Sequence, residues 1–177
     1  LMRSGIAATA LRGAAHRVVH GGPRLTATSR ITPAVLDEIT AAVPLAPLHN
    51  PAALVGIQSV ARLLPDLPQY AVFDTAFHAT NPTVATTYAL PLEDRERGIR
   101  RYGFHGISYA ALVRILGARG PLPQRLLACH LGNGASLAAI VNGRSVATTM
   151  GYSPLDGLTM GTRAGSIDGN AVLRLVE

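Results

Sequence analysis

The chain has 177 residues, of which 48% are apolar and 15% are charged, and its formal net charge is +6 at pH 7. This composition excludes a disordered chain, and no apolar run is long enough to predict a membrane span. The 16 basic residues are all arginines scattered along the sequence, and only 5% of residues are aromatic, so we expect a basic solvated surface and no nucleic-acid partner.

The ends of the sequence and its one cysteine bear on the kind of protein. The chain begins at Leu1 and stops within residues 170–177, which predict the start of a helix, so we expect a segment of a longer protein with both termini truncated. Residues 1–36 contain arginines and no acid, but they also hold the densest motif, which argues against a removable leader. Cys129 has no internal disulfide partner, fits a packing position in a strand, and favours a cytoplasmic location.

The first predicted strand is short and ends in a glycine turn. Val18 and Val19 are β-branched and precede Gly21-Gly22, a pattern typical of a buried strand followed by a tight bend. We expect His20 at the end of this strand. His16 and His20 would share a face of a helix and could then hold zinc, but the strand pattern argues against that interpretation.

Two helices and a second strand follow in the first half. Thr32-Pro33 predicts an N-cap and a first turn, and Pro44 stops the helix that they begin. A second helical pattern covers residues 54–64. Residues 70–73 predict a strand that places Asp74 at its carboxyl end.

The second half opens with an irregular segment and a helix. Residues 81–99 are charged and show no periodic pattern. Apolar spacing over residues 107–116 predicts a helix that closes at Gly117. The polar motif Tyr102 to Gly106 therefore lies directly before the amino end of this helix.

The remaining strands surround a glycine-rich loop. Residues 126–129 and 137–141 predict two strands, with the loop over residues 130–136 between them. Asn142-Gly143 predicts a hairpin turn, because both central residues of a type I′ turn need positive φ. The alternation of strands and helices along the chain predicts an α/β fold.

The loop from His130 to Ser136 has glycines at a spacing that lets backbone N–H groups approach a phosphate closely. It lacks the Gly-Lys-Ser/Thr ending of a P-loop, and a strand follows it where a P-loop or a Rossmann turn would have a helix. A phosphate-binding loop between two strands and a plain glycine turn both remain open.

Six strings follow one another along the sequence: His16–Gly22, Ala46–Pro51, Val72–His78, Arg101–Gly106, His130–Ser136 and Gly151–Arg163. They occur in the order found in acetate kinases, and the sequence resembles that family over residues 16–168. The resemblance implies parts of two ribonuclease-H-like lobes of the actin-like ATPase fold of acetate and sugar kinases. The end of the first lobe, with the acyl-substrate site, would cover residues 1–77, and the start of the second, with the glycine loop, residues 78–177.

The resemblance also implies a reaction, in which the γ-phosphoryl group of ATP passes reversibly to acetate to give acetyl phosphate and ADP. It implies Mg²⁺ bound with ATP or ADP, through ligands outside this chain and none on it, and a homodimeric parent enzyme. Propionate or another short-chain acyl acid is the alternative substrate, and a truncated remnant without catalysis is the alternative of another class. We expect the isolated chain to have little or no kinase activity.

The residue types at the matching positions fit this chemistry. A carboxylic acid titrates near about pH 4 to 5, so acetate is already ionised at neutral pH and its attack needs no general base. It needs cations that bring two anions together and neutralise the phosphoryl oxygens. The resemblance assigns this work to Arg17, His105 and Arg163, with Asp74 orienting the cationic groups.

Two further sets of residues are implied by the resemblance. The methyl group of the substrate would lie in a pocket of four apolar side chains, although each of these could equally be plain core. They are Val19, Leu48, Phe104 and Pro154. The nucleotide phosphates would contact the glycine loop at His130, Leu131, Gly132, Asn133 and Gly134.

Several positions depart from the family pattern. Ala15 replaces a glycine, and Ala147 stands where an aspartate is usual. The family has Arg-Ser-Gly-Asp-Ile-Asp-Pro where this chain has residues 163–169, so Ser166 replaces a carboxylate. We expect this change to remove a fixed negative charge near Arg163.

Overall fold

The computed structural model describes residues 7–177, which divide into two compact units. The first unit ends at Ala76, and the second runs from Phe77 to Glu177. Residues 1–6, which the sequence analysis includes in the first lobe, lie outside the described residues. Each unit combines helices with its own three-stranded sheet, which confirms the predicted α/β class. None of the helices described is both long and apolar enough to cross a membrane.

The first unit has a mixed sheet covered by two helices. Its strands are β1 (Ala14–Val18), β2 (Ser29–Arg30) and β3 (Gln69–Phe73), and its helices are α1 (Pro33–Ala41) and α2 (Asn50–Leu63). Short 3-10 helices cover Ala8–Ala10 and Val43–Leu45. The strand order is β1-β3-β2, with β1 parallel and β2 antiparallel to β3.

The core of the first unit lies between this sheet and its helices. Its buried side chains include Val18 and Phe73 from the strands and Ile39 and Ile57 from the helices. These four residues are apolar positions of the predicted strands and helices. The hydrophobic periodicity of the sequence therefore identifies the buried face of each element correctly.

The first strand is confirmed, but its predicted bounds are wrong. It ends at Val18, and Val19 and His20 lie beyond it in the turn. Residues 14–16 are alanine, alanine and histidine, which have little intrinsic strand preference. They become strand because they pair in register with Gln69, Tyr70 and Ala71 of β3, and local sequence carries no signal for that pairing.

The N-terminal cap of α1 is as predicted, and it gives a test of stability. The backbone N–H of Val35 donates to Thr32 Oγ1 at 3.3 Å. Thr32→Ala should lower the free energy of unfolding of the chain by about 1 kcal/mol, because a free N–H of the first turn loses its acceptor. Urea denaturation followed by circular dichroism measures this change. Thr40→Ala is the matched control, since the Thr40 hydroxyl only donates to a carbonyl already within the helix, and an equal loss in both variants would contradict the prediction.

The second unit has an antiparallel sheet with four helices. Its strands are β4 (Arg125–Leu131), β5 (Ala135–Val141) and β6 (Arg144–Thr148), which pair in that order. Its helices are α3 (Thr83–Thr86), α4 (Leu92–Glu96), α5 (Gly106–Arg119) and α6 (Gly169–Val176). A 3-10 helix covers Ala76–Thr80. Tyr109, Ala128, Ala138 and Ile140 form its core.

The predicted hairpin turn is confirmed, since Asn142 and Gly143 have φ values of 50° and 75°. Two other predictions for this unit are wrong. Residues 81–99 are not wholly irregular, because α3 and α4 form there as helices too short to show a periodic pattern. Helix α5 continues through Gly117 to Arg119. A single glycine lowers the stability of a helix but keeps its backbone N–H, so it does not by itself end the helix.

The glycine loop is shorter than the predicted 130–136. His130 pairs with Ser136 and Leu131 with Ala135, so both strands extend and only residues 132–134 connect them. The same ladder corrects the prediction for Cys129, which is exposed. Successive side chains of a strand point to opposite faces, and in β4 it is Ala128 that faces the core.

Candidate functional site

The first unit brings Arg17 and Asp74 together at the carboxyl edge of its sheet. Strands β1 and β3 are parallel, so they end at the same edge, where the Asp74 N–H donates to the Val18 carbonyl at 3.1 Å. Arg17 Nε lies 3.2 Å from both carboxylate oxygens of Asp74, and Arg17 Nη2 donates to Oδ2 at 2.6 Å. The sequence motifs predict that Asp74 orients the cationic groups, but they do not single out Arg17 as the side chain that it holds.

This ion pair is asymmetric in exposure. The Asp74 side chain is 3% exposed, and the Arg17 side chain is 62% exposed. The hydrogen bond that Arg17 donates to Asp74 raises the pKa of Arg17 above its ordinary value, so the guanidinium stays charged. A buried carboxylate therefore orients a cation whose outer surface is open to an anionic ligand.

The turn after β1 is locked by His20 and Asn50, an interaction that the sequence does not reveal. The His20 N–H donates to Asn50 Oδ1 at 3.2 Å, and Asn50 Nδ2 donates to the His20 carbonyl at 3.0 Å. The Gly22 N–H donates to His20 Nδ1 at 2.9 Å. Because Nδ1 accepts this bond, the ring is neutral, and burial lowers the pKa of His20 to about 4.

His20 should make the first unit sensitive to acid. Between its ordinary pKa of 6.5 and its folded pKa of about 4, His20 binds a proton in the unfolded chain but not in the folded one. Stability is therefore fully present above pH 6.5 and falls as the pH drops toward 4, by up to about 3 kcal/mol. Urea denaturation between pH 7 and 4 measures this loss of stability. The part of the loss that His20 causes should be absent from the His20→Gln variant. Parallel pH profiles for the two proteins would contradict it.

The residues of the first unit predicted to hold the substrate methyl group differ in exposure. Val19 is buried, whereas Leu48 is 87% exposed. His49, in the same string as Leu48, is exposed and is the N-cap residue of α2. Of the two predicted contacts, only Leu48 presents an accessible apolar surface within this unit.

In the second unit, His105 has an unusual backbone and a stacked neighbour. Its φ of 60° places it in the left-handed region, directly before α5. Its ring stacks on that of His130, with centroids 3.9 Å apart and planes 18° from parallel. His130 Nδ1 in turn lies 3.0 Å from the Ser108 hydroxyl. The two histidines of separate sequence motifs thus share one location.

A hydrogen-bond chain from Tyr109 through Ser136 orients the His105 ring. The Tyr109 hydroxyl donates to the Ser136 carbonyl at 2.8 Å and lies 2.6 Å from Ser136 Oγ, which is 2.9 Å from His105 Nδ1. Ser136 Oγ thus links the buried Tyr109 hydroxyl to the ring of His105 and fixes the orientation of that ring.

Arg163 and the glycine loop meet the other side of the His105 ring. A methyl group placed on Gly134 would lie 3.1 Å from His105 Nε2 and 3.3 Å from Arg163 Nη1. Arg163 Nη1 donates to the Pro154 carbonyl at 2.9 Å, which fixes the guanidinium. In the loop, the Gly132 N–H donates to the Gly134 carbonyl at 3.1 Å. Two cation-forming groups therefore converge on a loop position that has no side chain.

The other predicted residues of the second unit lie around this point. Leu131 and Asn133 are exposed, and the Asn133 amide oxygen would lie 3.3 Å from a methyl group on Gly161. Phe104 is buried, and its carbonyl is 2.9 Å from His78 Nε2. Pro154 is half-buried and holds Arg163 through its carbonyl. The assignment of Phe104 and Pro154 to the methyl pocket stays a prediction, as does that of Leu131 and Asn133 to the nucleotide phosphates.

Ser166 bonds to a carboxylate rather than to Arg163. Its hydroxyl donates to Asp156 Oδ1 at 2.7 Å, and Asp156 Oδ2 is 3.3 Å from Arg101 Nη1. Within residues 7–177, no carboxylate lies within ion-pair distance of Arg163. Ala147 is an exposed residue of β6. Among the described residues, Arg163 therefore has no carboxylate partner.

The implied magnesium ion has no matching group of ligands here. In the part of the chain that the structure describes, no three His, Cys, Asp or Glu side chains come together in a way that could hold a metal ion. Hard oxygen ligands are what Mg²⁺ needs from a protein. The residues present do not fit the ion by themselves.

Comparison with known proteins shows one consistent family. The model of the Acetokinase family matches residues 6–177. The acetate kinase of Synechococcus sp. (strain JA-2-3B'a(2-13)) is 55% identical over 164 residues, which cover 91% of this chain and 41% of that protein. The acetate kinase of Deinococcus radiodurans is 52% identical over 164 residues and is likewise covered to 41%. The chain thus spans about 41% of the length of the curated relatives that it matches.

Solved structures agree with the sequence relatives. A propionate kinase from Francisella tularensis subsp. tularensis SCHU S4 is 43% identical, with a TM-score of 0.86 over 92% of this chain and 43% of that chain. The acetate kinase of Porphyromonas gingivalis is 41% identical, with a TM-score of 0.84 over 96% of this chain and 44% of that chain. Both likenesses cover nearly all of this chain and less than half of the known enzymes.

Proposed function

The chain belongs to the acetokinase family, and from this premise we propose that the protein containing it transfers the γ-phosphoryl group of ATP to acetate. The products are acetyl phosphate and ADP, and the reaction is reversible. The chain has part of the acetate and sugar kinase fold. The observation that supports the proposal best is the convergence of His105 and Arg163 on Gly134.

The proposed reaction forms one bond to phosphorus and breaks one. A carboxylate oxygen of acetate forms the new bond to the γ-phosphorus, and the bond from phosphorus to the bridging oxygen of ADP breaks with its electron pair on ADP. No proton leaves the substrate, so no general base is required. The barrier lies in bringing negative groups together and in the charge on the transferring phosphoryl group.

The side chains of the chain then take separate roles in this proposal. Arg17, oriented by Asp74, offers its exposed guanidinium to the acetate carboxylate. His105 and Arg163 stabilise the phosphoryl oxygens, and the absence of a side chain at Gly134 lets those oxygens approach. Nucleotide phosphates contact the rest of the glycine loop. We include in the proposal a homodimer, a cytoplasmic location and magnesium bound with ATP.

A second substrate is favoured by one structural comparison. The neighbour from Francisella tularensis is a propionate kinase, and acetate and propionate differ by one methylene group. A pocket distinguishes such substrates by about 10- to 200-fold. Values of kcat/KM for acetate, propionate and butyrate, measured on the same preparation, would identify the preferred acid.

The proposal is tested in two proteins. The first is the 177-residue chain itself. The second, which we call the hybrid kinase, is the Synechococcus acetate kinase in which this chain replaces the segment that it matches. Acetyl phosphate formed from ATP and acetate is trapped with hydroxylamine and measured as the hydroxamate. We expect turnover by the hybrid kinase, loss of turnover on Arg163→Gln, and little or none by the chain alone.

Other outcomes would decide against parts of the proposal. A hybrid kinase that unfolds cooperatively but forms no acetyl phosphate would support the non-catalytic remnant, for which Ser166 and Ala147 are the sequence arguments. Turnover by the chain alone that disappears in Arg17→Ala would show that the expectation of an inactive segment is wrong.

A further inference from the structure

The second unit has a cavity that is lined by none of the residues assigned to the proposed transfer site. It has a volume of about 370 Å³ and is lined by residues between Ala79 and Arg100. Its polar wall includes Asn81, Thr83, Arg95 and Arg100. Of the described residues that line it, none is acidic and none is aromatic. The surrounding segment is the charged stretch, residues 81–99, that the sequence motifs leave unexplained.

Asn81 is a buried amide without a partner in the wall of this cavity. The residue is 7% exposed, and neither Nδ2 nor Oδ1 forms a hydrogen bond with any described residue. Its backbone is held, since its N–H donates to the His78 carbonyl at 3.0 Å. Native proteins rarely leave a buried amide unsatisfied, because the group loses its water without gaining a replacement. The wall of the cavity therefore includes an amide whose hydrogen-bonding groups no described residue uses.

The arginines of this segment fall into two classes. Those away from the cavity are paired with carboxylates: Arg97 with Asp94 and Arg101 with Asp156, each at 3.3 Å. The two that line it, Arg95 and Arg100, have no carboxylate within ion-pair distance in the described part of the chain. Arg100 lies over the Tyr102 ring, 5.6 Å from its centroid, which limits the freedom of its side chain. The cavity is therefore lined by two arginines that have no carboxylate partner among the described residues.

We propose that this cavity binds a small oxyanion, such as inorganic phosphate or a polycarboxylate, at a site separate from the glycine loop. Two guanidinium groups can each offer a planar pair of donors to such an anion. The Thr83 hydroxyl and the Asn81 amide add uncharged hydrogen-bonding groups. A nucleotide is disfavoured, since the wall has no aromatic side chain on which a base could stack.

The test measures binding of sodium phosphate and of sodium citrate by isothermal titration calorimetry, with sodium chloride at equal ionic strength as reference. It uses the hybrid kinase carrying Arg163→Gln, so that phosphate held at the proposed transfer site does not contribute and the result does not depend on the proposed function. One of the two anions should bind, and Arg95→Gln or Arg100→Gln should weaken it at least about tenfold. The anion that binds distinguishes the phosphate source from the carboxylate source.

Arg97→Gln is the matched control. It removes the same charge directly after the same helix, two residues from Arg95, but Arg97 does not line the cavity. Its Kd should stay within about twofold of the parent. Equal weakening in Arg97→Gln and Arg95→Gln, or no binding of either anion above the chloride reference, would overturn the proposal. If Arg95→Gln lowers the far-ultraviolet dichroism, Arg95→Lys replaces it; Arg95→Lys keeps the charge without the planar fork and should still weaken binding.

Discussion

Arg17→Lys should lower kcat/KM of the hybrid kinase for acetate by about 100-fold, nearly as much as Arg17→Ala. The positive charge is kept, but the geometry is lost. Arg17 uses Nε and Nη2 on the buried Asp74. The other edge of the planar guanidinium remains available to a second carboxylate. A lysine has a single nitrogen and cannot bind Asp74 and a substrate in one fixed plane. The hydroxamate assay at varied acetate concentration measures the effect.

Two further variants give this prediction its controls. Arg24→Lys changes an arginine of the same unit that also pairs with a carboxylate, Glu38, at 2.7 Å but lies outside the proposed site. Its kcat/KM should stay within about twofold, because an exposed pair contributes little. Asp74→Asn should fall between these extremes, since an amide can still accept one of the bonds from Arg17. A rate for Arg17→Lys close to that of Arg24→Lys would show that only the charge of Arg17 matters.

The pairing of Arg17 with Asp74 illustrates how far local sequence reaches in the first unit. Apolar periodicity predicts α1, α2 and β3, and it places Asp74 at a strand end. The partner of Asp74 is set by the register of β1 on β3, across an intervening segment that contains both helices. Two residues in separate strings become an ion pair only through that long-range pairing, and no periodic pattern reports it.

The second unit shows a similar division. The resemblance to acetate kinases points to His105, Arg163 and the glycine loop, and Asn142-Gly143 predicts the hairpin. Ser136 and Tyr109, which hold the His105 ring, are not predicted because each has an ordinary role in its own element, a buried strand position and a buried helix position. A signal was present, since Tyr109 lies one helical turn after His105.

Gly134→Ala should lower kcat/KM of the hybrid kinase by about 100-fold while leaving its melting temperature nearly unchanged. The added methyl group would lie 3.1 Å from His105 Nε2 and 3.3 Å from Arg163 Nη1, which is closer than relaxed contact allows. Both neighbours are ends of side chains, so they can move aside by a few tenths of an ångström without disturbing the backbone. The fold therefore survives, whereas the two groups that would hold the phosphoryl oxygens are displaced and the space for those oxygens is filled.

Other glycines separate this local effect from the general consequences of adding a methyl group. On Gly132, in the same loop, a methyl group would make only ordinary contacts, at 3.5 Å to the Gly134 carbonyl and 3.6 Å to His130 Nε2, so Gly132→Ala should cost less than about tenfold. Gly56 lies in α2 with nothing within 4 Å of the added group, and Gly56→Ala should leave the rate unchanged and slightly raise stability. The convergence of His105 and Arg163 on Gly134 predicts this order of effects, and equal losses in Gly132→Ala and Gly134→Ala would place the transferred phosphoryl group elsewhere.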